Sequence, residues 1–241
     1  MFAGPNGAGK STIKSLLRPE LIALYINPDE IEKEMCERGC LDLRQFPIEA
    51  SPTDLIRFLR DSSLLQKVGQ SSCVDNLSYE EGVLQLGDGV ANSYVASVLA
   101  DYIRRKLIER RTSFTFETVM SSPDKVALLE YARSLGYRTY LYFIATEDPI
   151  INIARVRNRT RLGGHAVPED KIVTRHARSL NLLVDAIRNT DRAFIFDNSD
   201  SSPVLIAEIT EGRILDPRTD RLPEWFEKAV LAKLPSRTDS V

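Results

Sequence analysis

The chain has little of what metal centres and disulfide scaffolds are built from. Its 241 residues include three cysteines, Cys36, Cys40 and Cys73, and two histidines, His165 and His176. An odd number of thiols with no C-x-x-C pair, far from either histidine, argues against a zinc site or a disulfide framework. Cys36 and Cys40 are spaced to share a helix face, and free thiols of a reducing compartment are their ordinary state. Positive charge is also missing: 32 Lys and Arg against 34 Asp and Glu leave a formal charge of −2, so any polyanion site must be local. No apolar run is long enough to cross a bilayer and no signal-peptide core opens the chain, which predicts a cytoplasmic protein without membrane partners. With 43% hydrophobic and 27% charged residues the chain can bury a sizeable core, and a single large α/β domain is the simplest expectation.

What is present gathers at the head of the chain. Gly4-Pro5-Asn6-Gly7-Ala8-Gly9-Lys10-Ser11 fills the phosphate-loop pattern G-x-x-x-x-G-K-[ST] at every fixed position, with Thr12 and a short amphipathic helix, Ile13 to Leu17, behind it. Glycines let successive backbone N–H groups turn inward as an anion cradle at the positive end of a helix. Lys10 adds a point charge for the β- and γ-phosphates, and the Ser11 hydroxyl is an oxygen ligand for Mg²⁺. Such a loop hangs from a buried strand of about five residues, yet only Met1, Phe2 and Ala3 precede Gly4. The expectation is that a few upstream apolar residues are missing.

Further along, Leu21 to Ile26 reads as a second parallel strand ending at Asn27-Pro28-Asp29. Ligands of open α/β sheets gather beyond the carboxyl ends of strands, which makes Asp29 a candidate general base; capping of the helix Ile31 to Glu37 is the equal alternative. From Arg38 to Asn92 the strand-helix alternation lapses, although Thr53 to Lys67 is helical in pattern, and the segment reads as an insertion or subdomain. A helix over Ser93 to Arg111 and a strand over Ser113 to Val119 follow. Glu117 at the end of that strand is a candidate for Mg²⁺-bound water or a substrate hydroxyl, against a solvated strand-end carboxylate. A helix to Leu135, a buried strand from Tyr137 to Ala145, and a helix opened by Pro149 come next. That last helix carries Arg155, Arg157, Arg159 and Arg161. Gly163-Gly164 and Pro168 then separate it from a helix over Glu169 to Ile187 with Arg175 and Arg178. The segment reads as a lid bringing positive charge onto a transferring phosphate, or as a plain helix connection with solvated arginines. A strand over Ala193 to Ser199, another over Val204 to Ile209, an edge at Gly212 to Ile214 and a helix from Trp225 complete the chain.

Taken together, the loop at Ala3 to Thr12, Ile26-Asn27-Pro28-Asp29, Phe116-Glu117-Thr118, Ala154 to Arg159, Gly163 to Pro168 and Arg175 to Leu180 resemble the zeta-toxin-like P-loop kinases. The resemblance covers most of the chain outside Arg38 to Asn92 and the tail. It implies a P-loop NTPase fold of the nucleoside-monophosphate-kinase type, three layers with a parallel sheet between helices. It implies phosphoryl transfer from ATP or GTP with Mg²⁺ to a small-molecule hydroxyl, UDP-N-acetylglucosamine being the substrate of the best-known toxins. By matching position, Lys10 and Ser11 hold nucleotide and Mg²⁺, Asp29 is the general base, and Glu117 with Thr118 and His165 lies on the substrate side. Arg155, Arg159 and Arg175 are the charge-compensating lid. Toxins proper carry an arginine near where His165 stands, so this chain departs from them there.

Two other readings compete with a small-molecule kinase. One is a nucleotide-binding switch or interaction module with little transfer activity and the middle segment as its partner surface. The other is a 5′-hydroxyl nucleic-acid kinase, disfavoured by the missing basic charge. Neither the acceptor nor an antitoxin-like partner can be read from the residues.

Overall fold

The computed structural model describes residues 1–87, 89–164 and 166–234. His165, one of the substrate-side candidates, lies outside the described residues. The chain divides into two compact units, one of Met1–Ile22 with the chain from Glu117 onward, the other of Ala23–Phe116. The stretch Arg38 to Asn92 falls inside the second.

The first unit opens with β1 (Phe2–Ala3) and α1 (Lys10–Leu16). β1 is two residues long and central, pairing in parallel with other strands on both edges.

The second unit begins with β2 (Leu24–Ile26), three residues shorter at its start than the pattern predicts because Pro19–Leu21 coils into a 3-10 turn. α2 (Pro28–Arg38) is bounded by local chemistry. The Asn27 side chain accepts from the Asp29 amide, Pro28 sits where its missing N–H costs nothing, and Gly39 at φ 66 closes the helix in the left-handed region. A small antiparallel sheet, β3 (Cys40–Asp42), β4 (Leu77–Glu80) and β5 (Val83–Leu86) in the order β3-β5-β4, occupies much of the stretch where the alternation lapsed. Between its strands lie α3 (Pro52–Arg60) and α4 (Ser63–Lys67). The single helix expected over Thr53 to Lys67 is therefore broken, because Ser62 caps a new helix by accepting from the Leu65 amide. α5 (Ser93–Glu109) is the unit's spine, with Val95, Leu99, Ile103 and Leu107 fully buried at helical spacing. Its start is fixed by Asn92, whose Oδ1 accepts from the amides of Tyr94 and Val95. Asp54 of α3 meets Lys106 of α5 at 2.7 Å, and this ion pair holds the Asp54 carboxyl below its ordinary range. β6 (Phe114–Thr118) then pairs with β2 in parallel, Ile26 opposite Phe116, and its last two residues belong to the first unit.

There β6 lies parallel to β1, with Glu117 opposite Phe2 and Thr118 opposite Ala3. After α6 (Asp124–Ser134) come β7 (Tyr140–Ala145), α7 (Pro149–Arg161), α8 (Glu169–Asn181), α9 (Leu183–Arg188) and β8 (Arg192–Asp197). The helix expected to run from Glu169 to Ile187 is interrupted at Leu182. β7 pairs in parallel with β1 and with β8. β9 (Val204–Thr210) and β10 (Ile214–Pro217) add an antiparallel edge, and α10 (Glu224–Phe226) sets Trp225 against Phe143. The edge strand begins at Ile214 because Glu211 and Gly212, both at positive φ, make the turn. The result is a mostly parallel central sheet with helices around it, as the fold-class expectation requires. Leu141, Phe143, Ala193 and Ile195 alternate onto one wholly buried face.

Replacing Asn92 with Ala removes the cap of the longest helix of the second unit while leaving its apolar face intact. Urea denaturation should give a loss of about 1 kcal/mol, within the range of ~0.5–2 measured for such caps.

Candidate functional site

In the first unit the carboxyl ends of β1, β6, β7 and β8 come together, because these four strands are parallel and in register. Ala3 lies between Thr118 and Phe143, and Ala145 opposite Asp197. The next residue of each strand or its following loop therefore opens onto one edge of the sheet, where ligands of such sheets bind.

The loop Gly4 to Gly9 leaves β1 there, and its glycines are needed. Gly4 has φ 140, and a Cβ on it would stand 2.0 Å from the Ile144 carbonyl oxygen. Gly7 at φ 76 and Gly9 at φ 98 lie in the left-handed region, where a Cβ would meet the Asn152 carbonyl at 2.6 Å and the Asn198 Nδ2 at 2.3 Å. The carbonyls of the loop are tied back to the protein. Lys10 Nζ donates to Gly4 O at 2.9 Å and Pro5 O at 3.1 Å, Asn152 Nδ2 to Asn6 O at 2.7 Å, and Asn198 Nδ2 to Ala8 O at 2.7 Å. The Gly9 carbonyl takes the first amides of α1, from Thr12 and Ile13. Ser11 is exposed in the first turn of α1 and Lys10 is buried.

Glu117 is half-buried, with Oε1 3.8 Å from Lys10 Nζ, so a strand-end carboxylate stands beside the loop's lysine. Thr118 Oγ1 accepts from the Met120 amide at 3.0 Å. That bond supports a buried methionine at φ 52, a conformation seldom taken by a bulky residue and one that clusters at functional sites.

The arginines separate by role. Arg155 Nη1 donates to Asn198 O at 2.7 Å and Nη2 to Asp200 O at 2.9 Å, so it anchors the turn after β8. Arg175 Nη1 reaches Asn6 Oδ1 in the loop at 3.3 Å. Arg159 is exposed, and its carbonyl accepts from the amides of Leu162 and Gly164, with Gly163 at φ 85 ending the helix. Arg157 is taken up by Glu169 at 2.6 Å, a bridge from α7 to α8. Asp29 belongs to the second unit; its carboxylate is exposed and plays no part in capping α2, a task that falls to Asn27. Asp29 itself stands in the first turn of α2, where the helix dipole favours a carboxylate.

Sequence reasoning passed over four buried polar residues. Asn152 and Asn198 hold the loop, and Thr146 donates its hydroxyl to Asn152 Oδ1. His176, next to Arg175, places Nε2 3.0 Å from the Thr146 carbonyl. The one available signal was an asparagine inside a helix, a poor helix former with no solvent to face. Burial pushes the His176 imidazole below its ordinary pKa. Among the described residues no group of three or more His, Cys, Asp or Glu is placed to hold a metal by itself, and no helix is long and apolar enough to cross a membrane.

Comparison with known proteins follows the same lines. Residues 88–207, about half of the chain, match the family model described as Zeta toxin. The match takes in Glu117 and the arginines and leaves out the glycine loop and Asp29. A structure described as the AvrRxo1-ORF1:AvrRxo1-ORF2 complex with sulphate ions gives a TM-score of 0.55 at 15% identity over 98% of this chain. The same complex with ATP gives 0.55 at 16% identity over 99%. The chain spans 64% and 65% of the length of those two structures, and identities this low show the fold alone. No curated protein matches.

His176 carries a pH prediction. The neutral imidazole is favoured in the fold, so the unfolded chain binds the extra proton first and stability rises with pH through the window below the unfolded value of about 6.5. Its contribution is complete above that value and is lost as pH falls toward the depressed folded value. Denaturation at pH 5.5 and 7.5 should give a smaller pH difference for His176→Gln than for the wild-type chain; equal differences contradict it.

Proposed function

We propose that this chain, which resembles the zeta-toxin-like P-loop kinases over its matched half and in its loop, transfers the γ-phosphoryl group of ATP to the hydroxyl of a small molecule. The observation that carries the reading is the loop itself: three glycines at φ 140, 76 and 98 with their neighbours' carbonyls tied outward, closed by Lys10 against Glu117. A backbone so arranged suits a polyphosphate, since outward carbonyls turn amides inward at a helix N-terminus.

The residues present fit a nucleotide with Mg²⁺. Mg²⁺ prefers hard oxygens and keeps several waters, so the Ser11 hydroxyl with phosphate oxygens is a sufficient donor set without a carboxylate cage. When bound, Mg²⁺-ATP supplies the phosphoryl group and screens its charge. Lys10 sets its ammonium against the β- and γ-phosphates, leaving the Gly4 and Pro5 carbonyls. The acceptor oxygen attacks the γ-phosphorus, the bond to the β-γ bridging oxygen breaks, and the acceptor proton passes to a carboxylate. Asp29 is our choice for that base, on the family resemblance and on its exposed carboxylate. Glu117, held beside Lys10, is assigned to a substrate hydroxyl or metal-bound water, with Thr118 next to it. Arg175, already at the loop through Asn6, and Arg159 balance charge on the transferring group, while Arg155 contributes from its anchored position. UDP-N-acetylglucosamine is the finer proposal for the acceptor, GTP the alternative donor, and a protein partner an extension from the two-protein complexes of like fold.

Lys10→Ala should abolish ATP binding in equilibrium titration. Asp29→Asn should bind ATP like the wild-type chain yet lower phosphoryl transfer by roughly 10²–10⁴-fold, the usual contribution of a general base. Transfer would be read by mass spectrometry as phosphoryl gain in a metabolite pool that includes UDP-N-acetylglucosamine. Equal transfer in the two proteins removes Asp29 as the base, and ATP binding without transfer to any acceptor favours the switch reading.

A further inference from the structure

We infer that Asn152 and Asn198 are positioning residues that hold the phosphate loop open from its two sides, oriented by Thr146 and Arg155. The inference rests on the reading of the loop as a nucleotide cradle. A cradle needs its amides turned toward the ligand, which forces the intervening carbonyls into the protein, where an unpaired one is costly. Asn6 O and Ala8 O are two such carbonyls, and each receives one side-chain amide, from Asn152 and Asn198 at 2.7 Å. Both asparagines are buried, Asn152 at 0% exposure, so water does not compete for these bonds.

Each donor is itself fixed. The Asn6 carbonyl can only accept and so takes Nδ2 of Asn152, which leaves Oδ1 to accept from the Thr146 hydroxyl, itself also 3.3 Å from Asp148 O. Thr146 is wholly buried, and its carbonyl is tied to His176 of α8. Asn198 is held at its backbone, with its amide on Ala145 O at 2.8 Å and its carbonyl on Arg155. Asp197 before it is pinned by Trp225 Nε1 at 2.8 Å and by Ser199 Oγ. The same asparagines explain two glycines: the Asn152 backbone stands where a Gly7 Cβ would go, and the Asn198 amide where a Gly9 Cβ would go. Loop, α7 and the turn after β8 thus form one interlocking piece. In that piece Arg155 acts through Asn198.

The test is ATP affinity by calorimetry at 15 °C with Mg²⁺ present, on proteins whose circular dichroism is that of the folded chain. Asn152→Ala and Asn198→Ala should each raise the ATP Kd about tenfold, one charge-free hydrogen bond's worth of preorganisation. Thr146→Val should weaken binding in the same direction, with Thr146→Ser restoring it because the hydroxyl returns. A merely structural role would lower the melting temperature and leave the affinity of the folded protein, and the Ser rescue, unmoved. Affinities within twofold of wild type in folded Ala variants overturn the inference while the nucleotide reading stands. Should the Ala variants not fold, the Thr146 pair decides: equal affinity of Val and Ser variants overturns it. A wild-type chain that binds no ATP overturns both.

Discussion

The arrangement depends on where the carbonyl groups of one short loop point. Backbone N–H and C=O alternate in direction only as the dihedrals allow, so a turn that gathers several amides toward an anion must send carbonyls the other way. In the interior those carbonyls need donors. Here Asn152 and Asn198 supply them to Asn6 and Ala8, Lys10 rests on the Gly4 and Pro5 carbonyls, and three glycines supply the dihedrals that no side chain could share the space with. The rest of the first unit follows from this. β1 lies between β6 and β7, and the ends of β7 and β8 bring Thr146 and Asn198 to the level of the loop.

The constraint also reshapes what the arginines mean. A row of cations on a helix suggests a charged sweep over phosphate, yet Arg157 is consumed by Glu169 and Arg155 by two carbonyls. Arg175 is bonded to the loop through a side chain, its Nη1 reaching Asn6 Oδ1. The guanidinium of Arg155 thus braces the turn after β8, and that of Arg175 meets the loop from the next helix. His176 extends the bracing into α8, one residue from Arg175, so helix position and loop position are mechanically linked through Thr146.

Much of this was legible from residues whose effect is local. The glycine loop, the helix opened by Pro149, and the apolar run of β7 state their geometry within a few positions. Asp29 was ambiguous because a carboxylate at a strand end and helix start suits a general base and a helix cap equally, and the side-chain cap proved to be Asn27, two residues earlier. The breaks at Ser62 and Leu182 were missed because apolar spacing continued across them, while at the first a hydroxyl capped a new helix. Asn152 and Asn198 were illegible for a deeper reason. Each is one polar residue whose partner lies about 150–190 positions away, and nothing in its own neighbourhood announces a long-range donor. The family model begins after the loop, so its match takes in Asn152 and Asn198 but not the carbonyls they hold.

The account's central claim is that the glycine loop receives the phosphates of a nucleotide. A crystal structure of the chain with Mg²⁺ and a non-hydrolysable ATP analogue tests it most directly. The account predicts the β- and γ-phosphates within the turn Gly4 to Ser11, Lys10 Nζ moved from the Gly4 and Pro5 carbonyls onto phosphate oxygen, and both asparagine bonds kept. A nucleotide bound elsewhere, or Lys10 still folded onto those carbonyls with phosphate beside it, would contradict the claim.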